Sequence, residues 1–161
     1  MTEPSPEVVA LAQSAVLDSV EFWEMSIVRN EDPQEPVDAE GRMSMDIQVK
    51  DLTPGEDRGF RYAMTAAFRN HEGEVKVRPA ATYHVQAEHA GLLDDPAIAV
   101  EYGNRVAVMT LLPFAREAIA TLSSRVFEER ILMPIFTASQ IRFSAEDAEN
   151  PQTPSSDDEP D

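Results

Sequence analysis

Met43-Ser44-Met45-Asp46-Ile47-Gln48-Val49-Lys50 alternates apolar and polar residues without a slip, and it is the clearest structural signal in the chain. A period of two puts Met43, Met45, Ile47 and Val49 on one face of an extended strand, with a polar face opposite. Downstream, the turn-forming run TPGEDRG leads into a second alternation. There Phe60, Tyr62, Met64, Ala66 and Phe68 face one way, and Arg61, Thr65 and Arg69 the other. The residues NHEGE predict a hairpin turn. A third alternation sets Val75, Val77, Ala81, Tyr83 and Val85 against Lys76, Arg78, Thr82, His84 and Gln86. Pro79 interrupts it and cannot donate to a ladder, which predicts an edge strand or a bulge. Upstream, VEFWEMSIVR (residues 20–29) is rich in aromatic and β-branched residues and suits a strand. The expected sheet is therefore a four-stranded antiparallel meander with one apolar face.

That face needs a cover, and both ends of the chain offer helices. Ser5-Pro6-Glu7 has the residue types of a helix start, predicting a short helix over about residues 6–18 with one apolar face; Val9, Ala12 and Val16, with Leu11 and Ala15, follow at helical spacing. Asp95-Pro96 can start another. PFAREAIATLSSRV, from Pro113, spaces Phe114, Ala118 and Leu122 four apart as an amphipathic helix. Pro113 predicts a kink or a fresh start. ILMPIFTASQIRF is apolar and irregular and is expected to pack back on the core. The final 18 residues hold seven acids and no base and are expected to be disordered. The domain reading is an N-terminal helical extension over 1–19, one α+β domain over 20–143, and an acidic tail over 144–161.

The formal net charge is −17, and the first 143 residues still carry −10. Long-range repulsion sets such a chain against nucleic acid and anionic lipid and favours basic or metal-bearing partners. Cysteine is absent, which excludes thiolate chemistry and Cys-ligated metals. No basic residue precedes Arg29, and the most apolar stretch, Val106 to Ala115, is about half the length a membrane span needs. The expectation is a soluble, cytoplasmic protein. There is no phosphate loop, nucleophile elbow or HExxH motif. His71 lies in a turn, His84 and His89 are read as surface residues, and the pairs Asp94-Asp95 and Glu128-Glu129 as caps or solvated faces. Neither catalysis, nor a cofactor, nor a metal is expected. What stands out is soft apolar surface in an acidic chain: seven Met, with Phe22-Trp23. Methionine adapts to many shapes, which suits binding of varied apolar segments. Candidate groove residues are Phe22, Trp23, Met25, Met43, Met45, Phe60 and Met64. The first strand carries apolar residues on both faces, which predicts a homo-oligomer or a peptide groove.

The run Leu111-Leu112-Pro113-Phe114-Ala115-Arg116-Glu117-Ala118-Ile119, ending in Ser123-Ser124-Arg125, resembles the SecB export-chaperone family, which carries a closely similar Leu-[Phe/Leu]-Pro-[Phe/Tyr]-Ala-Arg-Glu-x-Ile run. The order of elements agrees, and Leu132-Met133-Pro134-Ile135 with Ile141 and Phe143 resembles the segment that follows in that family. The likeness covers roughly residues 17–143. It implies a dimer of dimers acting as an ATP-independent holdase, which keeps unfolded preproteins competent for export and passes them to SecA. By the same resemblance an acidic docking patch falls on Asp18, Glu21 and Glu24 of the first strand and on Glu72 and Glu74 near the third-to-fourth strand turn. Lys76 and Arg78 count against an acidic face there. The family's C-terminal helix is replaced by the polar tail, leaving open whether a lid covers the groove, and an N-terminal helix is added. These departures suit a SecB-like chaperone devoted to one client, such as the antitoxin of a toxin–antitoxin pair, or a scaffold for one folded partner.

Overall fold

The computed structural model describes residues 2–33, 35–45, 58–135 and 143, together with the backbone of 46–50. Four strands, β1 (Val16–Arg29), β2 (Glu40–Lys50), β3 (Arg58–Asn70) and β4 (Gly73–Val85), form one antiparallel sheet in the order β1-β4-β3-β2. All four expected strands are present. The meander, however, is limited to β2, β3 and β4. The connection from β1 runs through residues 30–39 across the end of the sheet, so that β1 lies beside β4 in a Greek-key order. Consecutive strands are the default neighbours because short turns join them, and a ten-residue connection lifts that constraint.

Alternation sets the register. Met43 lies opposite Ala66, Met45 opposite Met64, and Phe60 opposite Tyr83, so the apolar residues share the face turned towards the helices. The β3–β4 hairpin turns at His71-Glu72, where Asn70 Oδ1 accepts from the N–H groups of Glu72 and Gly73. Gly73 has φ +154°, and a Cβ there would sit 1.9 Å from the Val28 carbonyl oxygen. Only glycine fits such a position.

The cover comprises α1 (Pro6–Ser14), α2 (Ala87–Ala90), α3 (Pro96–Tyr102) and α4 (Val108–Val126). Ser5 Oγ caps α1, accepting from Val8 N. The helix ends at Ser14, and the chain turns into β1 four residues earlier than the domain reading allows. Val8 and Leu11 are its two buried side chains. Their burial is worth about 1.5–3 kcal/mol each at most. Against that stands about 1–2 kcal/mol of backbone ordering per residue. A nine-residue helix is held by its surroundings.

Asp95 caps α3 as expected, its carboxylate accepting from Ala97 N at 2.9 Å with Pro96 in the first turn. The helix then runs without a stop into α4 through one π turn, Gly103–Ala107. Of the kink or fresh start expected at Pro113, the fresh start is absent, since α4 passes through the proline. The carbonyl deprived of its donor by Pro113 belongs to Met109, on an exposed face where water can replace the lost bond. The irregularity lies upstream, over the aromatic core. Phe60, Tyr62, Tyr83 and Tyr102 contact one another with ring centroids 5.2–6.2 Å apart. Tyr62 donates its hydroxyl to the Ala99 carbonyl at 2.8 Å, and a Cβ on Gly103 would meet its ring at 2.9 Å. Close approach of a side chain to the helix backbone is a recognised cause of such a turn. The rod Pro96–Val126 is long and apolar enough to cross a bilayer, but it buries its inner face on the sheet as a core helix.

The residues that carried the family resemblance tie the chain together after α4. Ser123 Oγ donates to Ile119 O and accepts from Ile131 N, while Arg116 donates to Pro134 O. Ile131 and Met133 are thereby seated in the core, as expected of that segment. The acidic tail, 144–161, and residues 136–142 lie outside the described residues.

Candidate functional site

The exposed apolar surface gathers on β1. This strand is an edge, and two register slips, between Leu17 and Ser19 and between Phe22 and Glu24, break its alternation. The second slip has a cause in the sequence. Phe22 faces Pro79, which has no N–H, and the ladder between β3 and β4 also lapses at Pro79 and the adjoining Arg78. The proline therefore marks a bulge, one of the two expected outcomes, but in a central strand. A bulge re-aims side chains. Leu17, Phe22 and Met25 pair with Tyr83, Pro79 and Val77 and keep to the helix side. Trp23 is the inserted residue. It turns to the opposite face, where the guanidinium groups of Arg61 and Arg78 lie 5.3 and 5.0 Å from its ring. Arg61 is fixed in turn by donating to Thr82 Oγ1 at 2.9 Å.

The proposed groove residues thus divide. Phe22 and Met25 are exposed at 36% and 49%, Trp23 and Met43 are half-buried, and Met45, Phe60 and Met64 are in the core. Those last three are removed from any surface role in this chain, because the helices close over the apolar face that alternation assigned to them. Other exposed apolar residues were not read as surface from sequence: Leu17, on the same side of β1 as Phe22 and Met25, and Met109 and Phe114 on α4, which packs over β4 and β1. Leu17 lies before the strand boundary read from sequence, Met109 falls on the outer side of α4, and Phe114, read as part of the apolar stripe, is exposed because Leu111, Ala115, Ala118 and Ile119 fill the inner face.

The five acids do not assemble into one patch. Asp18 Oδ1 lies 2.7 Å from His84 Nδ1, Glu24 3.1 Å from Lys76 Nζ, and Glu74 2.7 Å from Arg69. Glu21 is exposed beside Trp23. Glu72 is 3% exposed, and its carboxylate accepts from the backbone N–H groups of Glu128 (2.7 Å) and Glu129 (3.0 Å). Burial alone would raise its pKa. The two backbone donors, with His71 and Arg29 nearby, outweigh burial and hold the carboxyl below its ordinary value. Glu72 is a structural strut between the hairpin and the end of α4, with no surface to offer a partner. The sheet face away from the helices is instead set with Arg42, Arg61, Arg69, Lys76 and Arg78. Among the described residues no group of three or more His, Asp or Glu could hold a metal ion. Asp94 pairs with Arg58 at 2.6 Å, and Asp95 is the α3 cap, so this acidic pair is structural.

A Greek-key sheet of this order, covered on one face by a long interrupted helix, is the fold of a SecB-like chaperone. The SecB-like chaperone of Mycobacterium tuberculosis, solved in complex with a ChAD peptide from the HigA1 antitoxin, superposes with a TM-score of 0.60 at 12% identity, covering 83% of this chain and 98% of that one. A protein of unknown function from Streptococcus agalactiae superposes at 0.52 with 6% identity, over 75% of this chain and 97% of its own. No family model and no curated protein sequence matches the chain.

Proposed function

We propose that the protein is a non-enzymatic, ATP-independent holdase that binds exposed apolar segments of unfolded polypeptides. The observation that carries this reading is the bulged, apolar edge strand β1, with Leu17, Phe22 and Met25 uncovered on the side where a SecB-like fold packs its long helix. An edge strand offers unpaired backbone groups, and its uncovered side chains gain by burial at roughly 25 cal/mol per Å² before ordering costs. Assembly as a dimer of dimers in the cytoplasm completes the proposal.

Two finer readings diverge on the partner. Delivery of preproteins to SecA calls for an acidic docking face, and here Glu72 is buried while Asp18, Glu24 and Glu74 are each paired with a base. Service to a single client, such as the antitoxin of a toxin–antitoxin pair, needs no such face. It also agrees with the antitoxin peptide carried by the structural neighbour. We favour the single client. The test is suppression of aggregation: without nucleotide, the purified chain should keep a chemically unfolded preprotein soluble and leave its folded form alone. Protection of nothing by an intact protein rejects the holdase.

A further inference from the structure

The N-terminal helix sits in its place as a guest. Val8 and Leu11, one helical turn apart, enter an apolar groove walled by α2 and α3, where Leu11 reaches the cluster containing Leu93 and Tyr102, with Ala90, Leu92 and Ile98 at its margin. Its other tie is a polar clasp. Ser5 donates through its backbone N–H (3.2 Å) and its hydroxyl (2.8 Å) to the two carboxylate oxygens of Glu101. Arg105 donates to the same carboxylate at 2.9 Å and to the Thr2 carbonyl at 2.6 Å. Two apolar anchors and one clasp hold nine residues, and the wall is built partly of a four-residue helix and a short 3-10 turn, Gly91–Asp94. Such a segment belongs to the low end of local stability. Where α1 ends, Ala15 leads straight into β1, whose Leu17 is uncovered on the helix side of the sheet.

We propose that this groove is a second client-binding site, with α1 as an occupant in cis that a client segment of the same pattern displaces: two aliphatic side chains one helical turn apart, preceded by a hydroxyl-bearing residue that donates to Glu101. The proposal rests on the holdase reading and adds a gate to it. Client engaged along β1 competes for the groove only when α1 leaves, which restricts binding to segments that satisfy Glu101 as well as the apolar floor. A bare aliphatic segment leaves that half-buried carboxylate short of the two donors Ser5 supplied.

The test uses the full chain and a labelled synthetic peptide of residues 2–15 as probe. In the V8D/L11D double variant the resident helix is disabled, and the peptide should bind at least tenfold more tightly than to wild type. The same peptide carrying both aspartates should not bind. Reduced, carboxymethylated lactalbumin, a permanently unfolded client, should compete the peptide off. Equal binding to both proteins, or to neither, overturns the proposal. If the variant fails to melt cooperatively, hydrogen exchange on the wild-type chain decides. Amides of α1 should exchange at least tenfold faster than those of β4, at a rate independent of protein concentration. Exchange of α1 only with β4 makes it fixed core, and protection that rises with concentration makes a second copy the occupant. Either result overturns the proposal. Peptide exchange needs no client, so its failure leaves aggregation suppression standing; loss of suppression with peptide exchange intact rejects the holdase and with it the groove's client role, leaving only a displaceable α1.

Discussion

Glu72 illustrates how far a residue's role is set by backbone that sequence does not place beside it. It reads as a hairpin-tip acid free to meet a partner, yet its carboxylate is spent on two N–H groups more than fifty residues downstream. Glu72→Ala leaves those part-buried donors without their acceptor and should cost about 1–3 kcal/mol of unfolding free energy in urea titration. Its lowered pKa gives the pH dependence a definite sign. The folded form holds the carboxylate charged more firmly than the unfolded form, so the contribution is complete above the ordinary value near 4.5 and is lost as pH falls below it through the lower folded value. Glu72→Gln should therefore flatten the acid limb of stability against pH, and an unchanged limb would assign that sensitivity to other carboxylates. Gly103 carries the converse lesson. Gly103→Ala places a Cβ 2.9 Å from the Tyr62 ring and should lower stability by about 1–3 kcal/mol, read as a fall in Tm. Nothing in the local sequence of Gly103 marks it, because the ring it yields to stands on β3, far away in sequence.

Whole elements were more legible than their neighbours. Alternation at period two located β2, β3 and β4 within a few residues, since a sheet covered on one face imposes that pattern directly. Pro79 flagged the bulge, but its effect falls on the partner strand, where it divides Phe22 from Trp23. Bulges erase the alternation that would assign the faces of β1, so the sequence left both open. The apolar stripe of Met45, Phe60 and Met64 was read correctly as one face and wrongly as available surface, because periodicity does not tell a covered face from an open one. The two groups should separate experimentally. Met45→Ala should cost about 2–5 kcal/mol of stability, as expected for truncating a fully buried side chain. Met25→Ser, on an exposed position, should change stability by less than about 1 kcal/mol while weakening client retention. A competition assay in which Met25→Ser holds client as well as wild type would remove β1 from the site.

At the scale of the whole molecule, charge and apolar surface pull in opposite directions. The chain carries −17, seven of its acids lying in the final 18 residues, while one edge of its sheet stands uncovered and apolar. Strong net charge keeps copies apart, and an open edge draws them together. An assembly closed across such an edge should be held by burial and opposed by like-charge repulsion. Its salt dependence then has a sign. Screening shortens the range of repulsion to about 8 Å at physiological ionic strength and leaves apolar contact intact, so added salt should tighten the assembly. If ion pairs across the interface held it, salt would loosen it. Light scattering at micromolar concentration should give about four times the 17.9 kDa chain mass, with dissociation on dilution shifting to lower protein concentration as salt is raised. Removing residues 147–161 should mimic added salt, since it strips acids without touching the edge. A steady 17.9 kDa across that range would reject the tetramer.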